Sequence, residues 1–204
     1  MDMAGIYNNC CERNYSDVPL AKPAMKIIQT PIPGMLVIEP KVFGDARGFF
    51  LESYNEKTMA KSGISDRFVQ DNHSFSARHV LRGLHYQVRY PQGKLIRAVS
   101  GEIFDVAVDL RRSSPAFGKW HGIQLSGENN LMMWIPKGLA HGFLVMSEGA
   151  HVLYKTTDFY APEFERTLAW NDSDLGISWP LDGTPLVSAK DNLGRSFREA
   201  EAFE

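Results

Sequence analysis

The sequence is poor in cysteine. Its two cysteines, Cys10 and Cys11, are adjacent and lie near the N-terminus of the 204-residue chain. Neighbouring cysteines at one end of a chain cannot cross-link a core, so a disulfide-stabilised fold is excluded. Cysteine usage of this kind is typical of a reducing compartment, and we expect a cytoplasmic protein.

Long hydrophobic runs and an excess of one charge are also lacking. No apolar run approaches the ~18 residues that span a bilayer, so we expect no membrane partner. The formal net charge of -2 argues against a nucleic-acid partner, which would require a basic surface. With 44% hydrophobic and 23% charged residues, the chain can bury a core.

The first 24 residues lack both a hydrophobic pattern and an apolar signal segment. We predict that residues 1–24 form a mobile N-terminal tail, unless the functional chain starts at Met25. Residues 25–204 show no linker, no repeat and no change of composition. They are therefore predicted to form one domain.

Helical periodicity is scarce from Met25 onward, and short alternating runs take its place. The clearest alternation places Phe104, Val106, Val108 and Leu110 between Asp105, Ala107 and Asp109. This period of two predicts a strand with one buried face, and we expect it to form a hairpin about Gly101 with residues 94–100. Many short strands separated by turn signals predict an all-β sandwich, jelly roll or closed barrel, with short peripheral helices at 56–61 and 196–202.

Two motifs resemble those of the cupins, a family of jelly-roll barrels. Residues 136–141 have the form P-x-G-x-x-H, and residues 83–87 read Gly-Leu-His-Tyr-Gln. A metal-binding cupin carries His-x-His at the second motif, and its metal needs three imidazoles and a carboxylate. Gln87 replaces the second histidine with a poor ligand, so we expect no metal and no cofactor.

A set of short stretches narrows the resemblance. In chain order they are residues 40–50, 70–74, 81–85, 134–136, 140–143, 154–156, 170–172 and 188–191. Together they are similar to the dTDP-4-dehydrorhamnose 3,5-epimerases, metal-free cupin enzymes, over about residues 25–195. The resemblance implies a cupin-type jelly-roll barrel and a homodimer formed by strand exchange or sheet extension. It also implies conversion of dTDP-4-dehydro-6-deoxy-D-glucose to dTDP-4-dehydro-L-rhamnose, a step in dTDP-L-rhamnose synthesis.

This reaction inverts C3 and C5, whose protons both lie next to the C4 ketone. Inversion needs a base on one face of the sugar and an acid on the other. Imidazole, with an unperturbed pKa of ~6.5, suits the base, and a phenol that stays protonated suits the acid. The resemblance implies that His85 is the base, Asp191 its carboxylate partner and Tyr154 the acid. It also implies that Lys94 lies near the ketone, where a cation would stabilise an enolate.

The remaining matches concern substrate binding. The resemblance implies that Arg82 and Lys190 contact the diphosphate. Arg47 and Glu52 would reach the nucleotide, from a neighbouring subunit in one reading. Further contacts are implied for Gln70, Asn72, His141 and Glu165, and Tyr160 would stack on thymine, although the neighbouring Phe159 could do the same.

One local conflict predicts an irregular strand. Strict alternation places His85 and Gln87 on one face and Arg82 on the other. Both Arg82 and His85 can face one pocket only if the strand bulges near Gly83 or if Arg82 lies on the preceding turn.

Three other functions stay open. The nearest is an epimerase that acts at C3 alone or C5 alone. The others are a metal-dependent cupin enzyme and a non-catalytic sugar-binding barrel.

Overall fold

The structure of the chain is a computed structural model that describes residues 25–204. The predicted mobile tail, residues 1–24, lies outside the described residues. The strands, in chain order, are β1 (Met25–Gln29), β2 (Leu36–Pro40), β3 (Val42–Asp45), β4 (Gly48–Leu51), β5 (Gln70–Ala77), β6 (Val80–Gln87), β7 (Lys94–Ser100), β8 (Glu102–Asp109), β9 (Trp120–Ser126), β10 (Met132–Ile135), β11 (Leu139–Val145), β12 (Gly149–Thr156), β13 (Glu165–Thr167) and β14 (Leu186–Val187). The helical segments are α1 (Glu56–Lys61), α2 (Ala189–Asn192) and two 3₁₀ turns, Pro162–Phe164 and Phe197–Glu199. None of the helices in this part of the chain has the length and hydropathy needed to cross a membrane.

Two large sheets form the body of the fold. The first sheet has the strand order β1-β2-β10-β7-β12-β5, and the second has the order β13-β6-β11-β8-β9. Neighbours along both orders are antiparallel, and β14 adds to β6 in parallel. The hairpin β3–β4 pairs with itself and belongs to neither large sheet. The predicted all-β jelly-roll fold is confirmed.

The main core lies between the inner faces of the two sheets. Ile96 and Val152 from the first sheet pack in one cluster with Ile103 and Val145 from the second. These side chains are at most 1% exposed, so the space between the sheets is filled where this cluster lies. Burying such aliphatic side chains contributes about 1.5–3 kcal/mol each, which makes this cluster a main source of stability.

The outer face of the first sheet is covered by α1, which has the bounds predicted from sequence. Asn55 caps the helix by accepting a hydrogen bond from the backbone N–H of Thr58. Met59 then packs against Leu36, Met132 and Trp134 on the outside of the sheet. The second helix predicted at 196–202 is shorter in the structure, where a single 3₁₀ turn, Phe197–Glu199, takes its place.

The prediction that β8 has one buried face is wrong. Asp105 and Asp109 are as fully buried as the apolar residues between them. The reason is that the second sheet is covered on both sides, because the C-terminal part of the chain packs on its outer face through residues such as Leu168 and Leu175. The buried charge of Asp109 is compensated by the side chains of Arg111 and Ser114, each 2.6 Å from its Oδ2.

The predicted hairpin about Gly101 is also wrong. β7 pairs with β10 and β12 in the first sheet, whereas β8 pairs with β9 and β11 in the second. At Gly101 the chain therefore turns from one sheet into the other. Gly101 has a φ of +72°, and a Cβ there would lie 2.0 Å from the carbonyl oxygen of Gly149, so only glycine fits this corner.

Gly101→Ala is expected to destabilise the fold by about 2–4 kcal/mol, because it adds a steric clash to an unfavourable φ. Gly63→Ala is the matched control, since Gly63 also has a positive φ but has open space around its Cβ position. The measurement is urea unfolding of both variants. Equal losses of stability would contradict the close approach at the corner.

Candidate active site

A cavity of about 360 Å³ opens between the two sheets and is lined by side chains of both. Most of the predicted site residues meet there, although they are spread over about a hundred positions of the sequence. Those that line the cavity are Gln70, Asn72, Arg82, His85, Lys94, His141, Tyr154, Tyr160 and Glu165.

A bulge in β6 turns both Arg82 and His85 toward this cavity. His85 pairs with His141 of β11 and Arg82 pairs with Phe143, so β6 has one more residue than β11 between the two pairs. Gly83 allows β6 to approach β11 closely at the bulge, since its φ is +104° and a Cβ there would lie 2.5 Å from the carbonyl oxygen of His141. The bulge predicted from sequence is confirmed.

His85 and Asp191 form a hydrogen-bonded pair at the wall of the cavity. The distance from His85 Nε2 to Asp191 Oδ1 is 2.5 Å, and the second carboxylate oxygen accepts the backbone N–H of Gly83 at 3.4 Å. Burial raises the pKa of Asp191, but the hydrogen bonds from the His85 ring and from the backbone of Gly83 outweigh burial and hold that pKa below its usual value. Because a carboxylate only accepts hydrogen bonds, Nε2 carries the hydrogen, and Nδ1 is left to take a proton.

The short helix α2 presents Asp191 to β6. Ser188 caps the helix by accepting the backbone N–H of Asp191 at 3.1 Å, which fixes the start of the turn. Asp191 is 4% exposed, so its carboxylate is largely removed from water. The helix therefore closes the cavity wall behind His85 rather than lining the cavity itself.

Tyr154 lies on the opposite sheet from His85. It is on the inner face of β12 with Val152 and Thr156, which are both buried, as the alternation of this strand predicts. Burial raises the pKa of the Tyr154 phenol, while the charge of Arg82 lowers it and that of Glu165 raises it further. The phenol therefore keeps its proton throughout the neutral range and can act as an acid.

Lys94 is a buried cation at the start of β7. It is 7% exposed, and burial lowers the pKa of its ammonium to about 8, although the carboxylates of Glu165 and Asp105 oppose this shift. A cation held in a site of low dielectric interacts with a developing negative charge more strongly than it would in water. Lys94 is thus suited to stabilise an anion formed within the cavity.

A second imidazole and carboxylate pair lies at the same wall. His141 Nε2 is 2.7 Å from Asp105 Oδ1, and Asp105 is fully buried. Burial raises the pKa of Asp105, and this effect outweighs the charge and the hydrogen bond of His141 and the charge of Lys94, which lower it. The pKa of Asp105 therefore lies above its usual value. The pair fixes the orientation of the His141 ring where it borders the cavity.

At the mouth of the cavity, Glu165 joins two other predicted site residues. Its Oε2 accepts a hydrogen bond from the Tyr160 hydroxyl at 2.8 Å and another from the Lys190 ammonium. Burial raises the pKa of Glu165, but the hydrogen bonds from Lys190 and Tyr160 outweigh burial and lower it overall. Lys190 does not line the cavity, and it reaches the site through this ion pair.

Comparison with known proteins identifies the family. The family model described as dTDP-4-dehydrorhamnose 3,5-epimerase matches residues 29–199. The chain belongs to this family. The dTDP-4-dehydrorhamnose 3,5-epimerase of Pseudomonas aeruginosa is 59% identical over 180 residues, which cover 88% of this chain and 99% of that protein.

Structures of relatives agree with the fold. A crystal structure of the Legionella pneumophila dTDP-6-deoxy-D-glucose-3,5-epimerase in complex with dTDP-4-keto-L-rhamnose superposes with a TM-score of 0.85 at 50% identity, covering 87% of this chain and 95% of that one. A 3′-monoepimerase of Streptomyces bikiniensis in complex with dTDP-quinovose has a TM-score of 0.77 at 32% identity, covering 82% and 85%. The predictions of the family, the cupin-type fold and an isomerase are therefore confirmed.

Two residues that the family resemblance assigned to nucleotide binding lie outside the cavity of their own chain. Arg47 is on the exposed β3–β4 hairpin and forms an ion pair with Asp45, and its side chain is 90% exposed. Glu52 follows the same hairpin and accepts a hydrogen bond from Asn55. Within residues 25–204 of one chain, neither side chain borders the cavity.

Sequence reasoning missed two polar residues of the site. Asp105 was assigned to the exposed face of its strand, and its position in an alternating run gave no signal of a buried ion pair. Gln87 was considered only as a replaced metal ligand, yet it lines the cavity and binds backbone groups. Two of the three backbone partners of this buried glutamine, in Phe159 and Ala161, are more than 70 residues away, so only the fold creates these contacts.

Turnover is expected to fall as the pH rises through about 8, because the ammonium of Lys94 is present below this pKa and lost above it. If the reaction needs this cation, kcat/KM at pH 9 should be roughly tenfold below its plateau. The measurement is a pH profile of the wild type and of Lys94→Arg, whose guanidinium stays charged. A fall near pH 8 that persists in Lys94→Arg would assign it to another group.

Proposed function

We propose that this chain inverts C3 and C5 of dTDP-4-dehydro-6-deoxy-D-glucose and yields dTDP-4-dehydro-L-rhamnose for dTDP-L-rhamnose synthesis. The observation that carries the proposal is the placement of a carboxylate-bound imidazole and a partly buried phenol on opposing sheets of one cavity. Inversion requires a base and an acid on opposite faces of the sugar ring, and opposing sheets supply these two faces. The sparse use of cysteine supports a cytoplasmic location.

The proposed reaction moves one proton off and another on at each carbon. His85 Nδ1 takes the proton next to the C4 ketone, and the electrons of the broken C–H bond form an enolate. Lys94 stabilises the charge on the enolate oxygen, and Asp191 stabilises the imidazolium that forms. Tyr154 then gives its proton to the opposite face of the carbon, and the configuration is inverted.

The other cavity residues serve to bind the substrate. Arg82 reaches the diphosphate, because it lines the cavity while the residue stays exposed at the mouth. The hydrogen bond from its Nε to Ser76, at 2.9 Å, holds the side chain in this position. Lys190 adds a second cation beside Glu165 for the same group. Tyr160 stacks on the thymine, and its hydroxyl is held by Glu165. The sugar then contacts Gln70, Asn72 and His141, which also line the cavity.

A homodimer would explain the exposed β3–β4 hairpin. Phe43, Phe49 and Phe50 of this hairpin are each more than half exposed, which is unusual for large apolar side chains on one small element. In a dimer related by a two-fold axis, the hairpin of one subunit covers the cavity mouth of the other. Arg47 and Glu52 would then contact the nucleotide of the partner.

An epimerase that acts at a single carbon is the second candidate. It is favoured by the likeness to the 3′-monoepimerase, which is 32% identical to this chain. The higher identity to 3,5-epimerases, 59% for the Pseudomonas aeruginosa protein, supports the double reaction instead. The same base and acid serve both reactions, so the outcome depends on how the sugar ring can move in the cavity.

Turnover in heavy water separates these functions. The wild type should incorporate deuterium at both C3 and C5, whereas label at one carbon would identify a single-site epimerase. His85→Ala should lower exchange at both carbons by roughly a thousandfold, since it removes the general base. Tyr154→Phe should slow inversion more than exchange. The measurement is NMR of the recovered sugar nucleotide, and exchange that persists in His85→Ala would require another base.

Mixed dimers test the contribution of the hairpin to the partner's cavity. Arg47→Ala and His85→Ala each impair turnover alone, but a mixed dimer would contain one cavity with both wild-type residues. Coexpressed in equal amounts, the two variants should regain about a quarter of the wild-type rate, as random pairing of symmetric dimers requires. The control pairs His85→Ala with Tyr154→Phe, where no intact cavity forms. An absence of recovery in the first mixture would contradict the shared site.

A further inference from the structure

The segment at residues 157–161, called the rim loop here, carries two exposed aromatic side chains at the mouth of the cavity. Phe159 is 64% exposed and Tyr160 is 52% exposed, and Tyr160 also lines the cavity. The loop follows β12 and precedes the 3₁₀ turn Pro162–Phe164, so it leaves the sheet. Its backbone groups must therefore find hydrogen-bond partners other than a neighbouring strand.

Gln87 supplies two of those partners with one amide, and the same amide also binds the backbone at Tyr90. Its Nε2 donates to the carbonyl oxygens of Tyr90 at 2.8 Å and of Phe159 at 3.2 Å, and its Oε1 accepts the N–H of Ala161 at 2.9 Å. Gln87 is 4% exposed, so water cannot readily replace these contacts. Both ends of the amide are thus engaged with backbone.

Two more glutamines hold the rest of the rim loop. Gln92 Nε2 donates to the carbonyl oxygen of Asp158 at 2.9 Å. Gln70 Oε1 accepts the N–H of Tyr160 at 3.0 Å. The backbone around the two aromatic residues is consequently fixed by side-chain amides that come from β5, from β6 and from the segment between β6 and β7.

We propose that Gln87 is a positioning residue for nucleotide binding, which holds the rim loop as a preformed platform for a planar ring. The inference rests on the proposed stacking of thymine at this loop. A platform that is fixed before the ligand arrives loses little freedom on binding, which increases affinity. His85 and Tyr154 are held by other contacts, so the chemistry at the sugar does not depend on Gln87.

Gln87→Met tests this role, because methionine fills a similar volume but makes none of the three hydrogen bonds. The affinity for dTDP, measured by calorimetry, should fall on the order of tenfold, which corresponds to the loss of about one buried hydrogen bond. KM for the sugar nucleotide should rise by a similar factor, while kcat stays within about threefold. Gln124→Met, at an exposed position of β9, should change none of these values.

Hydrogen exchange separates positioning from direct contact with the ligand. In the ligand-free enzyme, the amide hydrogens of Tyr160 and Ala161 should exchange faster in Gln87→Met than in the wild type. Weaker dTDP binding with unchanged exchange would mean that Gln87 contacts the nucleotide itself, and this would overturn the proposal. Faster exchange with unchanged dTDP affinity would overturn it as well. Gln92→Met, which removes a single hydrogen bond, gives the same readouts if Gln87→Met does not fold.

Gln87→Glu adds a test by pH. Its carboxylate can accept from Ala161 but repels the two carbonyl oxygens, whereas its protonated form regains one donor. The affinity for dTDP relative to that of Gln87→Met should therefore improve as the pH is lowered, and a constant ratio would contradict the proposed contacts.

Tyr160→Ala and Phe159→Ala distinguish the role of Gln87 from the proposed stacking of thymine on the rim loop. If either variant weakens dTDP binding while Gln87→Met does not, the stacking proposal stands and the positioning role of Gln87 fails. If neither variant weakens dTDP binding, the stacking proposal itself is wrong, and the positioning role of Gln87 is wrong as well.

Discussion

The hydrogen bond between His85 and Asp191 connects parts of the chain that are 106 residues apart, and the rest of the site is arranged around it. It requires the bulge at Gly83, since only a bulged β6 lets the carboxylate reach both the imidazole and a backbone N–H. It also requires α2 to lie against β6. A single contact therefore couples the strand that carries His85 to the segment that follows the barrel.

The cavity concentrates groups that water would otherwise keep apart. Lys94 and Asp105 are buried deep in the cavity wall, and each moderates the cost of burying the other. Nearer the mouth, polar side chains such as Gln87 and Glu165 are already engaged before a substrate is present. Such preorganisation means that few groups must reorient when negative charge develops, which is how an enzyme interior differs from water as a medium for enolate chemistry.

The sequence predicts much of this structure, but only through two kinds of signal. Alternating runs predict the strands and the all-β class, because local periodicity is encoded in neighbouring residues. The family motifs predict His85, Tyr154 and Asp191, whose meeting in space no periodicity could indicate. What escapes prediction depends on later parts of the chain: the burial of Asp105 requires a covered outer face, and the turn at Gly101 reflects a choice between two sheets. Gln87 escapes for the same reason, since two of its three backbone partners, in Phe159 and Ala161, belong to a distant loop.

The proposed base and the proposed acid are carried by different sheets, and this has a mechanical consequence. His85 belongs to the second sheet and Tyr154 to the first, so the gap between the two groups depends on the separation of the sheets. Ile96, Val145 and their neighbours fill the space beneath the cavity and act as a spacer between the sheets. Because protein interiors are close-packed, we expect a change of one methylene in this spacer to alter the distance between His85 and Tyr154. The hydrophobic core therefore also sets the distance between the proposed base and the proposed acid.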